Sequence, residues 1–377
     1  MDLVVKNSLI PLSTARSCLR YLAGLPSVSE TNASAEQLAG WLIRCGLAPF
    51  AYRQYKQTEP DLAALLRAEL YRSIARNGVH FSHLETIINQ FASQIPVVLL
   101  KGVALAEGMY GGQAFRTMSD VDLWTPPSHM ERAVALMQEA DFTPYSKDRR
   151  PIALQMLSNG EVQFYRTTWQ TRSLVELHLS PFPGWWLVHT AAIDNEAIWE
   201  RLEPVAEHPG TWQLSPADTV IHLAVHTAVN HQFDLAFVRS LMDIALTAQK
   251  RDVDWQAVVQ RAKRWRVATV MYCVLDLLNT IIGLPELEPV LDALRPPAWQ
   301  RFVFGTIVQP EMALNGSDTL SSPLRFIVLL LLVDRWRDRA KLIWRALWPT
   351  AKWREARYGE PTSYWKHLRH MVREKDV

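Results

Sequence analysis

The chain has 377 residues, 49% of them hydrophobic, which is enough for two or three packed units of an ordinary globular protein. Forty basic residues against thirty-eight acidic ones leave a formal charge of +2, so no global field marks nucleic acid or a membrane as the partner. Three cysteines, Cys18, Cys45 and Cys273, are far apart and odd in number, which argues against a disulfide framework or a structural zinc pattern and suits a reducing cytoplasm.

The first twenty residues contain no uninterrupted apolar stretch. The longest apolar run, Phe326 to Val333, falls well short of the roughly 20 residues that span a bilayer, so neither a signal peptide nor a transmembrane helix is expected. From about Ala35 to Phe91 apolar residues recur three and four apart, predicting a helical lead-in that we assign to residues 1–92. Between Pro96 and His178 the pattern changes to short β-branched runs: Val97 to Leu100, Val121 to Trp124, Val162 to Tyr165 and Leu174 to Leu177. One helix interrupts them, with Ser128 as its expected cap and Glu131 closing a capping box. This alternation predicts a small sheet of about four or five strands with helices on one side, within a core over 93–213. At Ser215 the spacing becomes helical again, with Ser215 as cap, Pro216 in the first turn and Asp218 near the positive end of the dipole. It persists through 214–377, broken at Gly283-Leu284-Pro285 and Pro296-Pro297, and the fold class expected is α+β.

The stretch "RTMSDVDLW" sets Asp120 and Asp122 two apart. On a strand both would point to one face while Val121 and Leu123 enter the core. Carboxylates at that spacing repel each other unless a cation lies between them, and hard oxygen ligands suit magnesium or manganese. A solvated strand end carrying two ordinary acids has the same sequence. A second strand, "LVELHLS", places Glu176 among apolar residues and His178 two places on. If the strands are neighbours, three carboxylates converge, as a two-metal phosphoryl or nucleotidyl transfer site requires.

With "LLKG", Tyr110, "RTMSDVDLW", "VELHLS" and the helical stretch from Leu214 to Trp255, the chain resembles the bacterial uncharacterised nucleotidyltransferase family within the polymerase-beta-like superfamily. The resemblance spans roughly residues 96–285. It implies a nucleotidyltransferase fold, two Mg2+ ions (or Mn2+) on Asp120, Asp122 and Glu176, and a nucleoside triphosphate substrate. Lys101, Gly102, Arg116 and Ser119 are the expected nucleotide-binding residues. Lys101 and Gly102 follow the first strand and open a helix, where free amides, a close backbone approach and an ammonium would meet a phosphate. Arg116 could bind triphosphate oxygens bidentately or form a salt bridge with one of the aspartates.

His178, His226 and Asp243 are candidates for the acceptor side. His222 and His226 stand four apart, a zinc-compatible spacing, but Leu223 occupies the place of a metalloprotease glutamate, and packing or cleft-lining is the expected role. The helix Pro216 to Asn230 is expected to face the metal site across a cleft, with His222 or His226 toward the nucleotide or acceptor and Val220, Leu223, Ala224 and Thr227 turned to the core. Arg239 and Asp243 read most simply as a helix-surface pair. Basic residues and tryptophans from Arg325 to Arg373 read as amphipathic helices with charged faces in water, or as a basic aromatic face for an anionic partner. The function expected is transfer of a nucleotidyl group, AMP from ATP, to a small-molecule, sugar or peptide acceptor. The alternatives are a silent nucleotide-binding scaffold and a tailoring transferase with another donor.

Overall fold

The computed structural model describes residues 9–26, 33–145, 152, 155–316 and 321–373. Met1 to Ser8, part of the stretch read as lacking an apolar leader, lie outside the described residues. No described helix is long and apolar enough to cross a membrane.

Four helices come first: Leu12–Leu22, Ala35–Arg44, Ala48–Tyr55 and Pro60–Phe91. The second starts at a capping box, in which Ser34 Oγ accepts from Gln37 N at 3.3 Å and the Gln37 side chain accepts from Ser34 N at 3.0 Å. The fourth has 32 residues and is therefore about 48 Å long. The strands are β1 (Val97–Leu100), β2 (Asp120–Trp124), β3 (Thr143–Tyr145), β4 (Glu161–Thr168), β5 (Thr171–His178), β6 (Glu203–Pro204) and β7 (Thr211–Gln213). They form one sheet in the order β3-β4-β5-β2-β1-β7-β6. The pairs β2–β5 and β1–β7 are parallel and the others antiparallel. The architecture is α+β, with seven strands rather than the four or five expected. The three additional strands are only two or three residues long, too short to display an alternating pattern.

Both faces of the sheet are covered, not one. Val97, Leu99, Val121, Leu123, Phe164, Val175 and Leu177 share a core with Phe81, Leu84 and Ile87 of the long helix and with Ala133, Leu136 and Met137 of helix Met130–Glu139. The opposite face turns Val98, Leu100 and Trp124 into a larger core, built jointly by the first helices and by those that follow Ser215. Trp41, in the second helix, donates its indole N–H to the carbonyl of Leu314 at 2.8 Å.

The expected Ser128–Glu131 capping box does not form. Residues Pro127–His129 make a 3₁₀ turn behind Pro126, so Ser128 lies inside that turn, 3.1 Å from His129 Nδ1, and the helix starts at Met130. The Ser215 cap does form, with Ser215 Oγ accepting from Asp218 N at 3.3 Å. Asp218 is fully buried, with Arg201 at 3.1 Å and Arg261 at 2.9 Å. Its helix, Pro216–Val225, widens into a π turn over His226–Asn230. Helices then continue to Tyr364–Arg373, with gaps at both predicted breaks. Among them, helix Trp336–Leu347 buries only Leu342.

Candidate active site

Register places the acids. β2 and β5 pair with Asp122 opposite Glu176 and Trp124 opposite His178, while β4 sets Gln163 beside Glu176 and Glu161 beside His178. Because strand residues alternate, Asp122, Glu176, His178, Glu161 and Gln163 all project from the same face. Asp122 Oδ1 receives the Lys101 ammonium at 2.7 Å and lies 2.9 Å from His178 Nε2. Gln163 donates to Glu176 at 2.8 Å, and Ser119 donates to Asp120 at 3.1 Å. Ligand atoms of Asp122, Glu176 and His178 lie within 4.8 Å of one another.

The electrostatics follow from crowding four acids around one lysine. Burial would raise the Asp122 carboxyl, but Lys101 and the hydrogen bond from His178 outweigh it and hold the group well below the usual carboxylate range. Burial and the Asp122 charge push Asp120 up. Burial, then Glu161 and Asp122, push Glu176 well up, and burial raises Glu161 also. Three acids held above their ordinary values beside a fourth that stays ionised form a set that a divalent cation would relieve. A mostly oxygen donor set with one imidazole fits Mg2+ or Mn2+.

These groups line a cavity of about 240 Å³. Its floor is Lys101, Gly102, Asp120, Asp122, Glu161, Glu176 and His178, and its far wall is Leu223, His226, Asn230, His231, Arg239 and Ser240. Lys101 has φ of 46°, a left-handed conformation uncommon outside glycine, at the junction where β1 turns into the five-residue helix Lys101–Leu105. At Gly102 a Cβ would stand 2.6 Å from Met118 Sδ and 2.8 Å from Arg116 Nη1, so these two side chains of the loop before β2 pack directly on the glycine.

Of the residues singled out for the site, all line this cavity except Asp243 and His222. Asp243 is fully buried behind the wall, where it takes two hydrogen bonds from Arg116, at 2.9 and 2.6 Å, and one from Tyr110 at 2.6 Å. Arg116 thus borders the cavity with its guanidinium bound to Asp243 rather than to Asp120 or Asp122. His226 faces the cavity with its Nδ1 unpaired; burial, then Lys101, keep its pKa well below the ordinary histidine value. His222 lies one turn earlier, stacked on His226 at 6.1 Å and pushed down to about 3 by burial. Leu223 is buried in the core as expected and also borders the cavity.

Two residues were not legible as site residues. Arg239 does not pair with Asp243; among the described residues no carboxylate lies within ion-pair distance of it, and burial, then Arg116, lower its pKa. Its spacing from Asp243 concealed this, since both sit on helix Ala236–Lys250. Glu161 could have been found by folding β4 and β5 about Trp169 and Gln170, whose φ values of 46° and 64° mark a two-residue hairpin turn.

The uncharacterised nucleotidyltransferase family matches residues 31–283, about two thirds of the chain and all of the cavity lining. No curated protein and no solved structure matches. The chain belongs to the uncharacterised nucleotidyltransferase family, and it is an enzyme of the nucleotidyltransferase type.

Proposed function

We propose that the enzyme transfers AMP from ATP to a hydroxyl or phosphate of a small-molecule, sugar or peptide acceptor, on a polymerase-beta-like site in a bacterial cytoplasm. The observation that carries this reading is the convergence of Asp120, Asp122, Glu176 and Lys101 on one cavity whose far wall offers Arg239 and His226. Asp120, Asp122 and Glu176 would hold two Mg2+ ions, with His178 bracing Asp122 through its 2.9 Å contact. The bound ions would neutralise triphosphate charge and lower the acceptor's pKa.

The chain's own residues do the rest. Lys101, at the end of β1, places an ammonium beside the donor phosphates, and Gly102 lets them approach the backbone. Arg239, with no carboxylate at ion-pair distance among the described residues, gives the triphosphate a planar fork of donors. Ser119 orients Asp120, and neutral His226 hydrogen-bonds the acceptor. The acceptor oxygen, its proton passing to solvent when the acceptor is a hydroxyl, bonds to the α-phosphorus, the bond from that phosphorus to the bridging oxygen breaks, and pyrophosphate leaves. Neither nucleic acid nor a spanning membrane segment has a place in this reading.

The test is pyrophosphate release from ATP and Mg2+ across candidate acceptors, with intact-mass analysis of each acceptor. Asp122→Asn should abolish release while the protein still unfolds cooperatively. Undiminished transfer by that variant would sink the assignment. Nucleotide binding without release on any acceptor would point to the silent scaffold, and an added mass other than a nucleotidyl group to a different donor.

A further inference from the structure

The end of the chain carries a charge that the whole conceals. Between Arg325 and Arg373 twelve lysines and arginines accompany four acids, so this segment holds +8 while the remainder of the +2 chain holds −6. Its helix Trp336–Leu347 also presents apolar residues outward: Trp336 is 71% exposed, Trp344 and Leu347 54% each, and Ile343 41%. Positions 336, 343, 344 and 347 recur at helical spacing and make a stripe along one side. The stripe runs on past the helix end, where Trp348 stacks on Trp344 at 4.7 Å and on Tyr364 at 5.4 Å. Arg337 and Lys341, both exposed, flank it.

We propose that this face docks on the surface of an anionic lipid bilayer, with Trp336, Trp344 and Leu347 entering the headgroup region and Arg337 and Lys341 meeting lipid phosphates. An amphipathic helix with aromatic residues on one side and basic residues beside them binds by apolar burial together with attraction to negative lipid. Tryptophan favours that boundary because its ring is apolar and its N–H can remain hydrated. The charge selects among occupants. Two copies of a +8 segment repel each other, whereas an anionic surface attracts it. The aliphatic members Ile343 and Leu347 suit acyl chains better than the phosphates and bases of a nucleic acid. The face is independent of the nucleotidyl-transfer cavity, so the two readings stand or fall separately.

Sedimentation of the full chain with vesicles of phosphatidylcholine, with and without phosphatidylglycerol, tests the proposal. Binding is expected only with phosphatidylglycerol, weakening as salt is added. Trp344→Ser with Leu347→Ser should reduce it by at least about tenfold. Arg337→Glu with Lys341→Glu, which alters exposed residues alone, should reduce it as well, and circular dichroism of all variants should match the parent. No sedimentation with either vesicle, or equal sedimentation unaffected by the substitutions, overturns the proposal. Lipid-independent dimers, or binding of an RNA oligonucleotide, lost in the same variants and without vesicle binding, overturn it in favour of those partners.

Discussion

Arg116 and Asp243 meet through two parallel hydrogen bonds, at 2.9 and 2.6 Å, with the Tyr110 hydroxyl donating to the same carboxylate. The pair joins the loop that precedes β2 to helix Ala236–Lys250, and so ties the floor of the cavity to its far wall. Removing one partner leaves the other charge buried and unanswered. Asp243→Ala should therefore lower stability by about 3 to 5 kcal/mol, read from urea unfolding. Arg116→Met combined with Asp243→Leu should recover much of that loss. A single variant as stable as the parent would show that the pair is not the tie described.

Arg239 makes the opposite case, a cation with no carboxylate at ion-pair distance among the described residues. Arg239→Ala should weaken ATP binding about 10- to 100-fold by calorimetry, as expected for one or two charge-assisted hydrogen bonds. Its resistance to urea should be unchanged or higher, because a half-buried charge with no acid beside it among the described residues has been removed. Unaltered ATP affinity would remove Arg239 from the phosphate site.

Gly102→Ala probes the approach of the loop to β1. The new methyl would lie 2.6 Å from Met118 Sδ and 2.8 Å from Arg116 Nη1, and the guanidinium is held by Asp243. Neither neighbour can withdraw freely. A destabilisation of about 1 to 3 kcal/mol is expected, together with weaker ATP binding. Parent-like values for both would mean that the loop yields at no cost.

His80 and His83 on the long helix predict a pH dependence remote from the cavity. Burial lowers both to about 4, helped by Arg76 at His80 and by Arg166 at His83. The unfolded chain takes up these protons near the ordinary value of about 6.5, whereas the folded chain resists until about 4. Their contribution is thus whole above the unfolded value and is lost as pH falls from there toward about 4. Unfolding free energies measured across that window should fall less steeply for His80→Asn and His83→Asn than for the parent. Equal slopes would contradict the shifts.

The sequence was most informative where local pattern and chemistry coincide. Asp120 to Trp124 alternates cleanly between site and core, and Ser215 and Pro216 announce a helix that forms where expected. What escaped depended on partners distant in the chain. Asp243 lies four residues from Arg239 but binds Arg116, 127 positions away, because burial favours the bidentate partner across the cavity wall over the neighbour along the helix. That His178 also sits on Asp122 follows from a parallel pairing whose register local periodicity does not specify. The outward-facing tryptophans of helix Trp336–Leu347 have the same spacing as an inward-facing stripe, since periodicity states that a face is apolar and not where it points.

The core shared by the two ends of the chain bears on how the protein is made. Trp41 closes its hydrogen bond on Leu314, 273 residues later. At translation rates of 5 to 20 residues per second, about 15 to 55 seconds separate the synthesis of the two. For most of that interval Leu19, Trp41, Leu42 and Phe50 lack the part of their core that the helices after Ser215 supply. The sheet that carries the active site can close from its own segments, but the layer above it waits for the helices that follow Ser215. Nascent chains stalled before Leu314 should therefore recruit holdase chaperones to the N-terminal helices, and their release should coincide with completion of the C-terminal ones.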